Sequence, residues 1–484
     1  MVTNERFLAK AESLKPELIH ETKTVKGSEK ELHTGDEAVF DFGNHYVGYL
    51  SLDLESVGHH QDAPLYLQLQ FAEIKAELDS DPEEYHGWIS PSWIQKEQLH
   101  VDVLPTTLKL DRRYAFRYVK VKVVAASDNY CVKVNSLTVD AVTSADDSKV
   151  TRPVLTEQDR KIDDIALRTL RNCMQEVFED GPKRDRRLWL GDLRLEAKAN
   201  YETFRNNDLV KRCLYLFAGS TLEEGRLASN VFISPKVECD FQSMFDYTLF
   251  FIDTLWDYYE ATQDIETLRE LEPVCLCQHE LLKDCFGKDG LLDAGKAGMI
   301  FVDWNLQLDK QASGQAIYIY ALQDLIRIEK ALNKPVKELE EEVLKLKNAA
   351  LSLLDKEKGL FVSGDRAQIS YMSQIWMILA EVVDEKTGAE ILQKVKECQE
   401  AVKLISPYAY HHYVQALINV GSKDEAYDLM HSYWGSMAQK DTDTFWEIYD
   451  PENPDASPYG GLVVHSFCHA WSCTPAYFLR KYFY

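Results

Sequence analysis

Residues 180–192 concentrate the side chains best suited to acid and base chemistry. The stretch reads Asp-Gly-Pro-Lys-Arg-Asp-Arg-Arg-Leu-Trp-Leu-Gly-Asp, with three carboxylates, three arginines and one tryptophan. Gly181, Pro182 and Gly191 prevent one continuous helix, so a folded backbone is expected to hold these charges close together. Carboxylates crowded in this way push their pKa values apart, which a site of general acid and base catalysis requires.

A second acidic and aromatic stretch lies near the C-terminus. Glu447 stands between Trp446 and Tyr449 in a segment rich in Asp and Pro, and Ser466–Trp471, which contains His469, follows it. Aromatic neighbours partly desolvate a carboxylate and raise its pKa, which suits a general base. The two stretches lie near the first and last helices of the helical ring that is predicted below. Because the first and last helices of such a ring are neighbours, the two stretches are expected to face one cleft.

The hydrophobic period changes near residue 150. Before that point apolar and polar residues alternate, as in Leu65–Phe71 and Phe116–Val123, between turns rich in Gly, Pro, Asp and Asn. This pattern predicts an antiparallel β-sandwich accessory domain over residues 1–150. The polar and aromatic segment Asp79–Ser92 interrupts the pattern, and we interpret it as a long loop reaching over a neighbouring domain.

From about residue 155 the period is 3.6, and about twelve helical segments follow. They are expected near residues 155–178, 193–206, 209–223, 241–262, 265–286, 311–333, 335–355, 367–383, 385–402, 407–419, 422–438 and 461–482. Twelve helices joined by alternating short and long loops predict an (α/α)6 catalytic barrel over residues 151–484. A helical solenoid is disfavoured because no repeat of 34 or 40 residues is visible. The long aromatic-rich connections that favour one shared cleft are 179–192, 225–240, 287–310 and 439–460.

The bulk composition excludes several classes of function. The formal net charge is −25, so nucleic acid is not an expected partner, because phosphate contacts need clustered Lys and Arg. No run of about 18 apolar residues and no signal peptide is visible, so we expect no membrane partner and a cytoplasmic location. The ten cysteines show no zinc spacing, with Cys275 and Cys277 the one close pair. We therefore expect neither a metal nor a cofactor.

The aromatic content points to a ring-shaped ligand. The chain contains nine Trp, 25 Tyr and 20 Phe, and aromatic faces pack well against sugar rings, which mildly favours a carbohydrate partner. Core packing alone is the plainer interpretation of these residues. For the assembly, the sequence allows a monomer or a homodimer.

The first stretch resembles the Asp-x-Pro-x-Arg-[Glu/Asp]-Arg-x-x-Trp-x-Gly-Asp signature of the α-L-rhamnosidases of glycoside hydrolase family 78. These six-hairpin glycosidases also carry a late Thr-x-Trp-Glu element and a later Ser-x-x-His, which Thr444–Glu447 and Ser466–His469 match. The resemblance covers residues 30–484. It implies β-sandwich modules before an (α/α)6 barrel, and inverting, metal-free hydrolysis of a terminal α-L-rhamnosyl or similar deoxy-sugar.

The resemblance also assigns roles to individual residues. Asp185 falls on the general acid, normally a glutamate, and would be kept protonated by Asp180 and Asp192; Glu447 falls on the general base. Asp192 is the alternative acid. Inversion requires the two catalytic carboxyls to lie about 6.5–9.5 Å apart. The residues that would bind the sugar are Asp180, Arg184, Trp189, Asp192, Asp303, Trp304, Trp446 and His469.

Two other functions remain compatible with the sequence. Some barrels similar to this one cleave rhamnose from glucuronate as lyases, which leaves an unsaturated uronate that absorbs ultraviolet light. A non-catalytic sugar-binding relative is the second alternative, since the residue at the acid position is Asp185 instead of a glutamate.

Overall fold

The computed structural model describes residues 1–440 and 442–484. Its longer strands lie in the first 143 residues, and its longer helices follow. The strands are β1 (Val2–Thr3), β2 (Ile19–Lys26), β3 (Glu37–Gly58), β4 (Leu65–Ala72), β5 (Lys96–Val101), β6 (Thr106–Lys109), β7 (Tyr114–Ala125), β8 (Tyr130–Thr143), β9 (Leu188–Trp189), β10 (Ser220–Thr221), β11 (Asn230–Phe232), β12 (Glu238–Cys239), β13 (Leu354–Asp355) and β14 (Leu360–Phe361).

The N-terminal domain is one antiparallel seven-stranded sheet in the order β2-β8-β3-β7-β4-β5, with β6 also paired to β3. The long strand β3 pairs with β7 through Glu37–Gly48 and with β8 through Gly48–Gly58, and its register shifts between Asp41 and Tyr46. The sheet therefore bends at β3, and its two halves enclose a core that includes the fully buried Leu52, Leu67, Val121 and Val134.

The first residues of the chain contact the helical region. Strand β1 pairs with β10, helix α1 (Glu5–Ser13) packs on the later helix Asn207–Gly219, and the Asn4 amide donates to the Gly219 carbonyl at 2.9 Å. Residues 1–150 were predicted as a single sandwich domain; the structure places the start of this range against the helices.

The remaining helices form a ring of hairpins. They are α2 (Glu157–Cys173), α3 (Leu190–Glu202), α4 (Asn207–Gly219), α5 (Phe245–Thr262), α6 (Ile265–Leu282), α7 (Ala294–Ala297), α8 (Gln311–Ala331), α9 (Lys337–Leu351), α10 (Tyr371–Leu379), α11 (Glu385–Glu397), α12 (Pro407–Asn419), α13 (Lys423–Met437) and α14 (Pro475–Phe478). Helices α3, α5, α8, α10 and α12 contact one another in succession, and the C-terminal segment closes the ring by contacting α12 and α3. The prediction of an antiparallel β domain followed by a helical barrel is confirmed.

Burial separates the inner helices from the outer ones. The outer helix α9 buries only Val343, Leu346 and Ala350, one stripe at helical spacing. The inner helix α8 buries most of its residues, including polar ones such as Gln315 and Asp324. A helix that is buried on most of its surface must lie inside a helical layer, so the ring has an inner and an outer shell. Among the described residues, no helix has both the length and the apolarity needed to cross a bilayer.

The predicted helix 461–482 is wrong over most of its length. The structure has short 3-10 turns at Leu462–Val464 and Ala470–Cys473, with α14 and a π-helical turn only at the end. The backbone between the two turns is bonded to other segments: the Glu447 amide donates to the Ser466 carbonyl at 3.0 Å, and the His469 amide to Phe445 at 2.9 Å. Pro475 has no amide hydrogen and starts α14. The many aromatic and apolar residues of this segment led to the prediction of a helix where the backbone is not helical.

Candidate active site

A cavity of about 510 Å³ opens where the inner helices α3, α5 and α8 begin. It is lined by the loops that precede these helices and by the closing segment, as the positions of the long connections predicted. Asp441, within the predicted 439–460 connection, lies outside the described residues. The volume is typical of a small-molecule site. The predicted site residues that line it are Asp180, Arg184, Asp185, Trp189, Asp192, Trp304, Glu447 and His469.

Glu447 is buried and held in one orientation by its neighbours. Its side-chain oxygens accept hydrogen bonds from the Arg184 guanidinium and from the Tyr459 hydroxyl. Its backbone carbonyl accepts from the Trp471 indole at 2.9 Å. A carboxylate fixed by donors on both oxygens, with its face on a cavity, is placed to accept a proton from a bound water.

Asp185 lies on a strained turn beside the same arginine. The φ angles of Asp185 and Arg186 are 65° and 54°, a left-handed conformation that non-glycine residues seldom adopt. The turn is closed by two hydrogen bonds of 3.0 Å, from the Asp180 amide to the Arg187 carbonyl and from the Arg187 amide to the Asp180 carboxyl. Arg184 Nη1 lies 3.7 Å from Asp185 Oδ1, so one guanidinium contacts both predicted catalytic carboxyls.

His469 lies between two carboxyls at the floor of the cavity. Its Nε2 is 4.0 Å from Asp180 Oδ2 and its Nδ1 is 3.8 Å from Asp192 Oδ1. Burial, reinforced by the Asp185 and Asp192 carboxyls, raises the pKa of Asp180 well above its usual value. Burial and the Glu447 carboxyl do the same for the pKa of Asp192. Burial and Arg184 lower the pKa of His469, so at all three groups burial disfavours the charged form.

Several polar atoms at the cavity are buried and have no hydrogen-bond partner within the described residues. They include Asp192 Oδ1, His469 Nδ1, Trp189 Nε1 and Trp304 Nε1. Buried polar groups are normally paired, so these donors and acceptors are available to the polar groups of a ligand.

Aromatic rings form the walls around these polar groups. Trp189 meets Tyr247 edge-on, with ring centroids 6.2 Å apart, and Trp304 meets Phe301 at 5.4 Å and Tyr459 at 5.5 Å. Rings held edge-on leave faces for a ligand. The cavity therefore combines apolar walls with a small number of convergent polar groups, as sites for small molecules do.

Two predicted residues do not line the cavity. Asp303 accepts a hydrogen bond of 2.5 Å from Ser406, the N-cap of α12, and one of 3.1 Å from the Ile405 amide, so it joins two loops of the ring. Burial raises its pKa to about 6. Trp446 packs edge-on against Phe467 and donates through Nε1 to Thr442 at 3.2 Å. Its side chain belongs to the helical core while Glu447, the next residue, lines the cavity.

Other lining residues were not among the predicted site residues. Tyr459 donates to Glu447, and the Tyr247 hydroxyl lies 3.4 Å from Asp192 Oδ2. The aromatic character of the 439–460 connection was the only signal for Tyr459, and Tyr247 lies in the first turn of α5 without any motif. Trp88 and Trp93 come from the sheet domain, where the segment Asp79–Ser92 was interpreted as a loop reaching over its neighbour.

Models of two protein families match the chain. Residues 3–141 match the N-terminal domain of glycosyl hydrolase family 78 α-rhamnosidases. Residues 157–483 match the six-hairpin glycosidase domain of bacterial α-L-rhamnosidases. The chain belongs to this family of glycosidases. The family resemblance carried by residues 180–192 and 444–469 is thereby confirmed.

Solved structures agree with the family. A rhamnosidase from Klebsiella oxytoca with rhamnose bound is 42% identical, with a TM-score of 0.95 over 100% of this chain and 99% of that one. Two other structures show the fold alone. The family 78 rhamnosidase of Bacillus sp. GL1 is 21% identical, with a TM-score of 0.78 over 96% of this chain and 47% of that one. The Streptomyces avermitilis α-L-rhamnosidase complexed with L-rhamnose is 17% identical, with a TM-score of 0.72 over 96% of this chain and 44% of that one. The comparison with curated proteins gave no match.

The sheet domain of this glycosidase contacts both loops that carry the site. Glu73, at the end of the β4 region, accepts a hydrogen bond of 2.8 Å from the Phe467 amide and lies 3.1 Å from Lys183 Nζ through the same Oε2 atom. Its other oxygen lies 3.0 Å from the His45 ring. Lys183 precedes Arg184 and also pairs with Glu77. Since these groups are buried, the sheet domain fixes the loops at 183 and 467 against each other.

Proposed function

We propose that the protein hydrolyses terminal α-L-rhamnosides with inversion at the anomeric carbon. One observation carries the proposal: Arg184 contacts both Asp185 and Glu447 at the wall of one cavity. An inverting glycosidase needs an acid for the departing oxygen and a base for the attacking water on opposite faces of the ring. The full-length similarity to a rhamnosidase with rhamnose bound supports the choice of sugar.

In this mechanism Asp185 protonates the glycosidic oxygen and Glu447 removes a proton from the water that attacks the anomeric carbon. Arg184 and Tyr459 orient Glu447. Asp180, Asp192 and His469 bind the sugar hydroxyls from the floor, and Trp189 and Trp304 pack against the ring. Asp303 and Trp446 act from outside the cavity, by holding the loops that bear Trp304 and Glu447.

A panel of nitrophenyl glycosides tests the activity, and proton NMR at early times tests the stereochemistry. We expect nitrophenol release from the α-L-rhamnoside, with β-L-rhamnose as the first product. The appearance of the α-anomer first would contradict inversion. Absence of turnover on every rhamnoside would contradict hydrolysis, and an ultraviolet-absorbing uronate released from a rhamnosyl-glucuronate would identify a lyase.

Asp185→Asn tests the identity of the acid. Because a poor leaving group needs protonation and a good one does not, kcat should fall about 10²- to 10⁴-fold on a rhamnosyl disaccharide and much less on the 2,4-dinitrophenyl rhamnoside. The matched variant is Asp192→Asn, on the alternative acid. If the loss of kcat in Asp192→Asn depends on the leaving group, and Asp185→Asn loses kcat equally on both substrates, the acid is Asp192.

A further inference from the structure

A loop of the sheet domain, residues 80–95 between β4 and β5, forms part of the cavity. Trp88, Ile89, Ser90 and Trp93 of this loop line it, while the carboxyls and the histidine that line it, among the residues that the structure describes, come from the helical ring. The sheet domain therefore supplies one wall of a site whose acid and base groups lie in the other domain. The role of this wall is a separate question from the binding of the sugar at the floor.

The 80–95 loop is fixed to the segment 457–460. The Trp88 indole donates to the Pro458 carbonyl at 2.6 Å, and the Tyr85 hydroxyl donates to the Tyr459 carbonyl at 2.5 Å. A Cβ atom added at Gly87 would lie 1.9 Å from the same Tyr459 carbonyl oxygen, so only glycine permits this approach. The loop thus has a defined position relative to Tyr459, whose side chain contacts Glu447.

Exposure orders the cavity from floor to mouth. The side chains of Asp192 and Glu447 are 3–4% exposed, that of Asp185 is 21% exposed, and Trp88 is 66% exposed. An enzyme that removes a terminal sugar takes that sugar into the closed end, so the bond to be cleaved lies near the acid and the rest of the substrate points outward. Trp88 is therefore on the side of the leaving group.

The ring of Trp88 is exposed without being free to rotate. Its Nε1 is bonded to Pro458, and its ring lies 5.6 Å from that of Tyr459 at an angle of 37°. A large exposed apolar side chain held in place at the mouth of a cavity offers a face to a ligand at little entropic cost. Trp93, half-buried in the same loop, adds a second aromatic side chain.

We propose that Trp88, supported by Trp93, forms the leaving-group subsite and binds a ring with an apolar face, either an aromatic aglycone or a second pyranose. The inference rests on the proposed hydrolysis of rhamnosides and adds a specificity determinant to it. The sheet domain then selects the leaving group, while the helical ring selects the sugar and performs the chemistry.

Substrates that share the rhamnosyl group and differ only in the leaving group test this proposal. α-L-Rhamnosyl fluoride has no ring beyond the sugar, 4-nitrophenyl rhamnoside has an aromatic ring, and rhamnosyl-glucose has a pyranose. For Trp88→Ala we expect kcat/KM to fall about 5- to 10-fold on substrates whose leaving-group ring Trp88 binds. The value of kcat/KM on the fluoride and the inhibition constant of free L-rhamnose should each change less than about 2-fold. Comparison of the two ring substrates distinguishes an aromatic from a sugar leaving group.

Two further variants separate binding from support of the loop. Trp88→Phe loses the hydrogen bond to Pro458 but keeps an aromatic ring. Because the ring makes the proposed contact, this variant should retain most of the preference for substrates with a ring in the leaving group. Tyr49→Ala removes an exposed aromatic side chain of β3 outside the cavity and should change none of the ratios. Equal losses of Trp88→Ala on all three substrates, or no loss on any, would overturn the subsite. Failure of the wild type to cleave the fluoride would instead contradict the proposed function.

Discussion

Two buried arginine–carboxylate pairs occupy different positions in the ring, and only one of them faces the cavity. Arg184 pairs with Glu447 and Arg194 pairs with Asp253. Arg184 and Glu447 line the cavity. Asp253 is fully enclosed: burial favours its neutral form, but Arg194 and Lys198 hold its pKa well below the usual value. In the proposed mechanism the pair at the cavity serves catalysis, whereas the pair of Arg194 and Asp253 links helices α3 and α5.

Glu447→Gln, at the pair that lines the cavity, is expected to give the largest effect. The amide keeps the shape and the contacts with Tyr459 but does not accept a proton from water, so kcat should fall about 10²- to 10⁴-fold. Steady-state kinetics on the aryl rhamnoside measures this loss. L-Rhamnose should still raise the melting temperature of the variant, which shows that the site is intact. A kcat within tenfold of the wild type would mean that another group is the base.

Asp253→Asn makes the corresponding change at the enclosed pair. It leaves Arg194 and Lys198 buried with less negative charge nearby, and breaking a buried ion pair from one side costs about 3–5 kcal/mol of unfolding free energy. Urea denaturation measures the loss. The kcat of the folded fraction should stay within about 2-fold of the wild type, and a selective loss of turnover with unchanged stability would contradict the comparison.

The sequence predicted the parts of the site that lie in continuous motifs. Gly181 and Pro182 marked a break between helices, and five charged residues of 180–192 line the cavity: Asp180, Arg184, Asp185, Arg187 and Asp192. The change of period near residue 150 separated the sheet from the ring, because alternation and 3.6-residue spacing reflect which faces are buried.

Residues whose orientation depends on tertiary contacts were not predictable in the same way. Trp446 and Glu447 are adjacent, and only the backbone path, fixed by bonds such as that from the Glu447 amide to Ser466, places one in the core and the other at the cavity. Trp88 reaches the cavity because the 80–95 loop is bonded to 458 and 459, some 370 residues later. No local pattern encodes such a contact.

Asp192 and Glu196 offer a sharper comparison on one helix. They are one turn apart on α3, both are buried, and burial raises the pKa of each well above its usual value. Only Asp192 lines the cavity. A carboxyl with a raised pKa binds more protons in the folded state than in the unfolded state, so its contribution to stability falls as the pH rises from about 4 through the folded pKa.

Asp192→Asn and Glu196→Gln remove this titration and should both gain thermal stability relative to the wild type as the pH rises from 4 to 8. Their activities should differ. Asp192→Asn alters a group that we propose binds the sugar and should lower kcat/KM about 10- to 100-fold, whereas Glu196→Gln should leave kcat/KM nearly unchanged. Melting curves across this pH range, with kinetics at one pH, measure both effects. Equal loss of activity in the two variants would show that α3 as a whole, and not contact with the sugar, controls turnover.

The smallest effect on KM is expected for Trp446, whose side chain packs in the core and does not line the cavity. Trp446→Phe removes the hydrogen bond to Thr442 and should lower the unfolding free energy by about 1 kcal/mol with KM changed less than about 2-fold. Trp189→Phe, the same substitution in a lining tryptophan with an available Nε1, should raise KM several-fold because it removes a donor to the sugar. If Trp446→Phe raised KM as much as Trp189→Phe, the indole of Trp446 would contact the substrate. That result would contradict the assignment of this side chain to the core.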